Sequence, residues 1–231
     1  MKSQMIVHPD ELSIKWIDRA RAAGVDVLGI HPVGGGRAAK SLAELLEALK
    51  TDEFRLLIDY AYENKIEIEY ELHTASYLMP RALFEDHPDY FRMNENGERA
   101  PDYNFCVSNE SALSFFARRA AELARSLYRS TNKFYFWMDD KSNSHCHCPR
   151  CKGLSPSDQQ MIAVNAMLLE IRKYIPDAKM AYLAYCDSIM PPSVKYLDGV
   201  FLEYAPFKKY TAKGDDAEML IKRELSLTRE L

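Results

Sequence analysis

No apolar run in this chain approaches the roughly 20 residues that a membrane-crossing helix needs; one of the longest, 134–138, is over almost at once. A membrane partner is therefore not expected. No cluster of Lys and Arg is present that could track a phosphate backbone, and 30 basic against 34 acidic residues give a formal net charge of −4. That argues against nucleic acid. Nor does the opening Met1-Lys2-Ser3-Gln4 begin a signal-peptide pattern. The expected location is cytoplasmic, or secreted or periplasmic if the domain is excised from a longer chain. Cysteine is scarce too: there are five, an odd number, and Cys146, Cys148 and Cys151 crowd together. A disulfide framework is not spaced this way, so reduced thiols or a bound metal fit better.

What is present is enough for one sizeable core, with 231 residues of which 47% are hydrophobic. Short β-rich runs at 25–31, 66–73, 134–139, 180–185 and 200–204 predict strands, and a sixth is expected at 103–107. Helical patterns lie between them at 41–64 with a break near Thr51-Asp52, at 111–128, at 156–174, and from 215 onward. Ser41 with Glu44, and Ser155 with Pro156 and Asp158, read as capping boxes. Met161, Val164, Leu168, Ile171 and Ile175 recur at three-four spacing and predict one apolar stripe. A long excursion at 74–109 carries a hairpin signal at Asn94-Glu95-Asn96-Gly97.

Alternation of strand and helix predicts an α/β fold with a parallel sheet, either doubly wound or a (β/α) barrel. The second of the predicted strands chooses between them. Along 66–73 one face is Ile66, Ile68, Tyr70 and Leu72, and the other is Glu67, Glu69, Glu71 and His73. Three carboxylates under a helix layer would be costly, whereas a barrel lumen with a wet mouth accepts them. An edge strand with one solvated face is the alternative. A full eight-stranded barrel needs about 250 residues. The expectation is thus a single (β/α) TIM-type barrel domain over 1–231, incomplete or truncated at about six of eight βα units, with oligomerisation a route to covering an open edge.

In such barrels catalytic groups sit at the C-terminal ends of strands. Asp139-Asp140 ends the apolar run 134–138, Glu203 sits in apolar surroundings near the end of 200–204, and Glu71 and His73 end 66–73. Acids at several strand ends are what glycoside hydrolysis requires. Asp140 is the candidate acid, Asp139 its orienting neighbour and Glu203 the partner. His31, Glu71, His73, Arg99, Trp137 and Tyr185 are the candidate substrate-binding residues.

Cys146, Cys148 and Cys151 can reach one Zn²⁺, with His145, His147, Cys186 or Cys106 as the fourth ligand. His147 is the adjacent choice. Any zinc is expected to be structural, and no cofactor is required for catalysis. The stretch Gly34-Gly35-Gly36-Arg37-Ala38-Ala39-Lys40-Ser41 misses a phosphate-binding loop only at Ala39. Capping already accounts for Ser41, so a nucleotide is not expected.

Taken together, the chain resembles a bacterial family of domains of unknown function built on glycoside-hydrolase-like TIM barrels. The resemblance rests on Gly29-Ile30-His31-Pro32-Val33-Gly34-Gly35, Glu69-Tyr70-Glu71-Leu72-His73, His87-Pro88-Asp89-Tyr90-Phe91, Asn104-Phe105-Cys106-Val107-Ser108-Asn109, Trp137-Met138-Asp139-Asp140 with the three crowded cysteines, Ser157-Asp158, Asn165 and Tyr182-Leu183-Ala184-Tyr185. More distantly it is similar to family 20 hexosaminidases and family 67 α-glucuronidases. That similarity implies a glycan substrate, of the hexosaminide or uronide class, bound at the strand C-termini. Family 20 enzymes carry Asp-Glu after the fourth strand, where this chain has Asp139-Asp140. A carbohydrate-binding barrel without catalysis, its loop braced by zinc, is the second expectation.

Overall fold

A computed structural model of the chain describes residues 2–139 and 141–205. Asp140 and the helix expected from residue 215 lie outside the described residues. Six strands, β1 (Gln4–Val7), β2 (Val27–Ile30), β3 (Glu67–His73), β4 (Lys133–Trp137), β5 (Lys179–Ala184) and β6 (Val200–Tyr204), form one sheet. Six α-helices are interleaved: α1 (Ile14–Ala22), α2 (Ala38–Ala48), α3 (Asp52–Glu63), the single turn α4 (Ala75–Leu78), α5 (Glu110–Ser126) and α6 (Pro156–Ile171).

Strand order follows chain order from β1 to β6 and every neighbouring pair is parallel. A doubly wound sheet reverses its order at a switch point. Here the order never reverses, so right-handed crossovers put the helices on one face only. The main core confirms this, joining Leu28, Ile68, Tyr70, Leu72, Phe134, Phe136 and Tyr182 of the sheet to Ile17, Leu42, Ile58, Phe116 and Leu168 of the helices. A separate small cluster of Tyr135, Trp137 and Ala181, with Leu183 and Phe201 against it, lies on the other face.

That second face is concave. In a flat sheet, strands two places apart are about 9.5 Å distant, yet Gln4 on β1 donates to Glu71 on β3 at 2.5 Å. Trp137 on β4 likewise reaches Glu203 on β6 at 2.8 Å, and the Tyr135 and Phe201 rings lie 5.3 Å apart. The sheet curls into an incomplete (β/α) barrel, as the charge pattern of β3 predicts. β3 is flanked by β2 and β4, which removes the edge-strand alternative.

Local chemistry explains the helix starts. Ser13, Thr51 and Asn109 cap α1, α3 and α5 through their side chains, and Ser155 with Asp158 forms the expected capping box of α6. Asp158 also accepts from Ser193 N and Oγ and from Val194 N, tying α6 to the β5–β6 connection. Burial alone would raise its pKa, but the hydrogen bonds from Ser155, Val194 and Ser193 outweigh this and hold it at about 2.

Two expectations are corrected. Residues 103–107 are not a strand: Phe105 makes one antiparallel bridge to Phe91, and Tyr103 has a left-handed φ of 42°. The sixth strand is instead β1, whose apolar stretch is too short to read by alternation. Ser41 does not cap a helix; it lies inside α2, where its hydroxyl donates to Val33, Arg37 and Ala38 carbonyls. The hairpin at 94–97 is present, closed by a Met93–Arg99 bridge with Gly97 at φ 85°.

Candidate functional site

Side chains alternate along a strand, so Glu69, Glu71 and His73 face away from the helices that cover Ile68, Tyr70 and Leu72. Register sets Glu71 beside Tyr135, His73 beside Trp137, and Leu183 beside Glu203. These residues line the concave face.

Glu69 is 1% exposed and fully engaged. It accepts from Tyr135 Oη at 2.6 Å and Thr131 Oγ1 at 3.1 Å, with Lys133 Nζ at 3.7 Å. Glu71, 2% exposed, accepts from Gln4 Nε2 through Oε1, while its Oε2 has no partner among the described residues. Gly29 makes room for it, since a Cβ there would lie 2.4 Å from Glu71 Oε1. Burial, reinforced by the charge of Glu69, pushes the Glu71 carboxyl up to about 7 despite the Gln4 hydrogen bond. Burial and the charge of Glu71 push Glu203 up to about 8, against the Trp137 N–H that would lower it. Two carboxyls on one wall of the barrel are therefore neutral or close to it near pH 7.

Above them lies a ring of histidines. His8, His31 and His73 each place Nδ1 within 2.9 Å of a backbone carbonyl, those of His31, Glu71 and Met138 respectively. A carbonyl only accepts, so each Nδ1 carries its proton and fixes the tautomer. The His31 ring centroid is 5.7 Å from that of His73 and 5.4 Å from that of Trp137. Aromatic faces and ring nitrogens thus converge at the ends of β1 to β4.

Asp139 sits beside this ring. It is held by Arg81 at 2.8 Å and by the Ser76 N–H, while its own N–H donates to Asn104 Oδ1 at 2.9 Å. Tyr185 and Asp139 line a cleft at the ends of β4 and β5, together with Asn104, His145 and Gln160. Asp140, the next residue in sequence, lies outside the described residues. The structure does not bring Arg99 to this face: its guanidinium binds the Phe91 carbonyl and lies beside the Cys106 thiol.

The thiols form a second centre. Cys106, Cys146, Cys148 and Cys151 are all buried, and their sulfur atoms lie within 4.8 Å of one another. They could hold a metal. The fourth member is Cys106 and not the expected His147, whose Nε2 pairs with Asn143 Oδ1 at 2.9 Å. Hydrogen bonds from Cys146 and Cys151 hold the Cys106 thiol well below the ordinary thiol range, and the same contact pushes Cys146 up.

Sequence reasoning passed over Gln4, His8, Glu69, Tyr135, Arg81 and Asn104. The Glu-x-Glu-x-Glu alternation signalled Glu69, whereas Gln4 and His8 depended on an unrecognised β1.

Known proteins share the architecture. A family description given as a domain of unknown function, DUF4838, matches residues 44–216. No curated protein sequence matches the chain. Among solved structures, a glycoside hydrolase family 20 β-N-acetylglucosaminidase superposes with TM-score 0.54 at 13% identity, over 96% of this chain and 50% of that one. A β-galactosidase from the psychrophilic Marinomonas ef1 gives 0.54 at 12%, over 94% and 43%. PbGH5A, a glycoside hydrolase family 5 enzyme from Prevotella bryantii B14, gives 0.50 at 10%, over 95% and 63%. The chain spans less than two thirds of each of these structures, and at such identities the likeness is one of fold.

Proposed function

The chain belongs to the DUF4838 family of domains, and from that footing we propose that it hydrolyses O-glycosidic bonds of a glycan of the hexosaminide or uronide class. The observation that carries the reading is the pair of raised carboxyls, Glu71 and Glu203, on the concave face of a barrel with Asp139 just past the end of β4 and Asp140 next to it in sequence. Glycoside hydrolysis needs one carboxyl with a proton to give and one carboxylate to act as nucleophile or base. Glu203, held neutral near pH 7, has the proton. Asp140, next in sequence after Asp139, is then assigned the carboxylate role, which exchanges the roles first expected of the two. Asp139, fixed by Arg81 and Asn104, positions that strand end. Trp137 offers a sugar ring an apolar face, and His31, His73 and Tyr185 offer hydroxyl contacts.

The proposed chemistry uses no cofactor, and a metal held by the four thiols has a structural place in it. Single-domain organisation over 1–231 belongs to the same proposal. Among the described residues no helix is long and apolar enough to cross a membrane.

A panel of aryl hexosaminides and uronides tests the reading. Turnover that Glu203→Gln and Asp140→Asn each abolish supports it; turnover unchanged in both contradicts it. A second reading, saccharide binding without hydrolysis, is favoured by one observation: Asp139 and Glu69 are both already tied up by protein partners. Calorimetric binding of a saccharide that is never cleaved would select it.

A further inference from the structure

The four buried thiols sit where two long segments meet. Cys106 closes the excursion that follows β3, while Cys146, Cys148 and Cys151 lie in the connection from β4 to α6. Cys106 Sγ is 3.6 Å from Cys148 Sγ and 3.9 Å from Cys151 Sγ. A tetrahedral Zn²⁺ with Zn–S bonds of about 2.3 Å has sulfur-to-sulfur edges of about 3.8 Å. A disulfide needs its sulfurs at about 2.05 Å, and two such bridges would break this equal spacing.

The surroundings suit a tetrathiolate as well as the spacing does. Zinc with four thiolates carries a net charge of −2, which a buried site must compensate. The Arg99 guanidinium lies near the cluster, Met93 N–H donates to Cys146 Sγ at 3.3 Å, and the Cys148 N–H also points at Cys146. His147 is committed to Asn143, and Cys186 lies apart from the cluster.

We infer that Cys106, Cys146, Cys148 and Cys151 bind one Zn²⁺ as a structural tetrathiolate, and that this metal clamps the end of β4 in place. The coupling is short. Two residues before Cys106, Asn104 accepts from the Asp139 N–H and donates to Ser144 Oγ, and Ser144 lies two residues before Cys146. Gln159 of α6 grips Cys146 through both its N–H and its carbonyl, and His147 N–H donates to the Met93 carbonyl. Closing the four thiols on one ion therefore fixes the Asn104–Ser144 pair that holds the Asp139 N–H. The inference does not depend on the hydrolase reading, because every readout below is independent of turnover.

The test uses the intact chain. Metal analysis should find about one zinc per chain, and exchange with Co²⁺ should give the intense sulfur-to-cobalt charge-transfer band of four thiolates. His147→Ala and Cys186→Ser should keep the metal, and Cys106→Ser should lose most of it. Removing zinc with a strong chelator should speed hydrogen exchange at the Asp139 amide about tenfold or more, while β1 and β2 stay protected. If the Cys106 variant proves unstable, the cobalt spectrum of the unaltered chain decides the ligand set. A spectrum of three thiolates and one imidazole, loss of metal from His147→Ala, disulfides among the four cysteines, or protein that neither contains zinc as isolated nor takes it up when it is added would each overturn the site. Unchanged exchange at Asp139 after metal removal would overturn the clamp.

Discussion

Glu71 and Leu72 are neighbours on β3 and almost equally hidden, at 2% and 0% exposure, yet they belong to opposite kinds of interior. Leu72 joins a continuous apolar core between sheet and helices. Glu71 joins a face of carboxyls, histidines and aromatic rings in which one of its oxygens has no partner among the described residues. The apolar contacts of the outer face stabilise the fold. At Glu71 the inner face opposes it, because a buried carboxyl is kept neutral at the expense of the ionisation it would enjoy in the unfolded chain. Groups held in that state without structural benefit are what a site for acid and base chemistry requires.

The comparison is broken most forcefully from the outer side. Phe136, 1% exposed in the main core, should cost about 3–5 kcal/mol when truncated to Ala. Equilibrium denaturation would measure it. On the inner side the isosteric Glu71→Gln change should do the reverse at neutral pH and above. The raised folded-state pKa values of Glu71 and Glu203 mean that the native chain binds more protons than the unfolded one between about pH 4.5 and about 8. Stability should therefore fall as pH rises through that window. For Glu71 alone the span is about 3 kcal/mol, and Glu71→Gln should flatten it, which denaturation across pH 5 to 9 would show.

Smaller effects sharpen the contrast. Gly29→Ala sets a methyl group against Glu71 Oε1 and should cost about 1–3 kcal/mol, most of it relieved in a Glu71→Ala background. A double-mutant cycle reads the relief. Trp137→Phe keeps a ring but deletes the N–H donated to Glu203. That bond lowers the Glu203 pKa, so its titration midpoint should move above 8, while stability changes by about 1 kcal/mol.

The outer face was far more legible in the sequence than the inner one. Five strands, the split faces of β3 and the Ser155–Asp158 cap follow from alternation and local hydrogen-bond chemistry, which act within a few residues. β1 escaped because Met5-Ile6-Val7 gives too short a run, and its place is set by parallel pairing to β2. Residues 103–107 carried β-forming residue types, but the chain there packs Phe105 onto Phe116 and turns left-handed at Tyr103. Cys106 is separated from the other three thiols by some forty residues, so no spacing rule reaches it. The coupling of Glu71 to Glu203 arises from the curl of the sheet, and nothing local in either strand records it.

The most direct test of the inner face is a carbon-detected titration of the Glu71 and Glu203 carboxyls, each assigned through its Gln variant. Midpoints near 7 and 8 are predicted, with Glu71 falling when Glu69 is neutralised and Glu203 falling when Glu71 or Glu69 is neutralised. Midpoints of both groups near 4.5 would contradict the account, because the concave face would then hold ordinary solvated carboxylates with no proton to give.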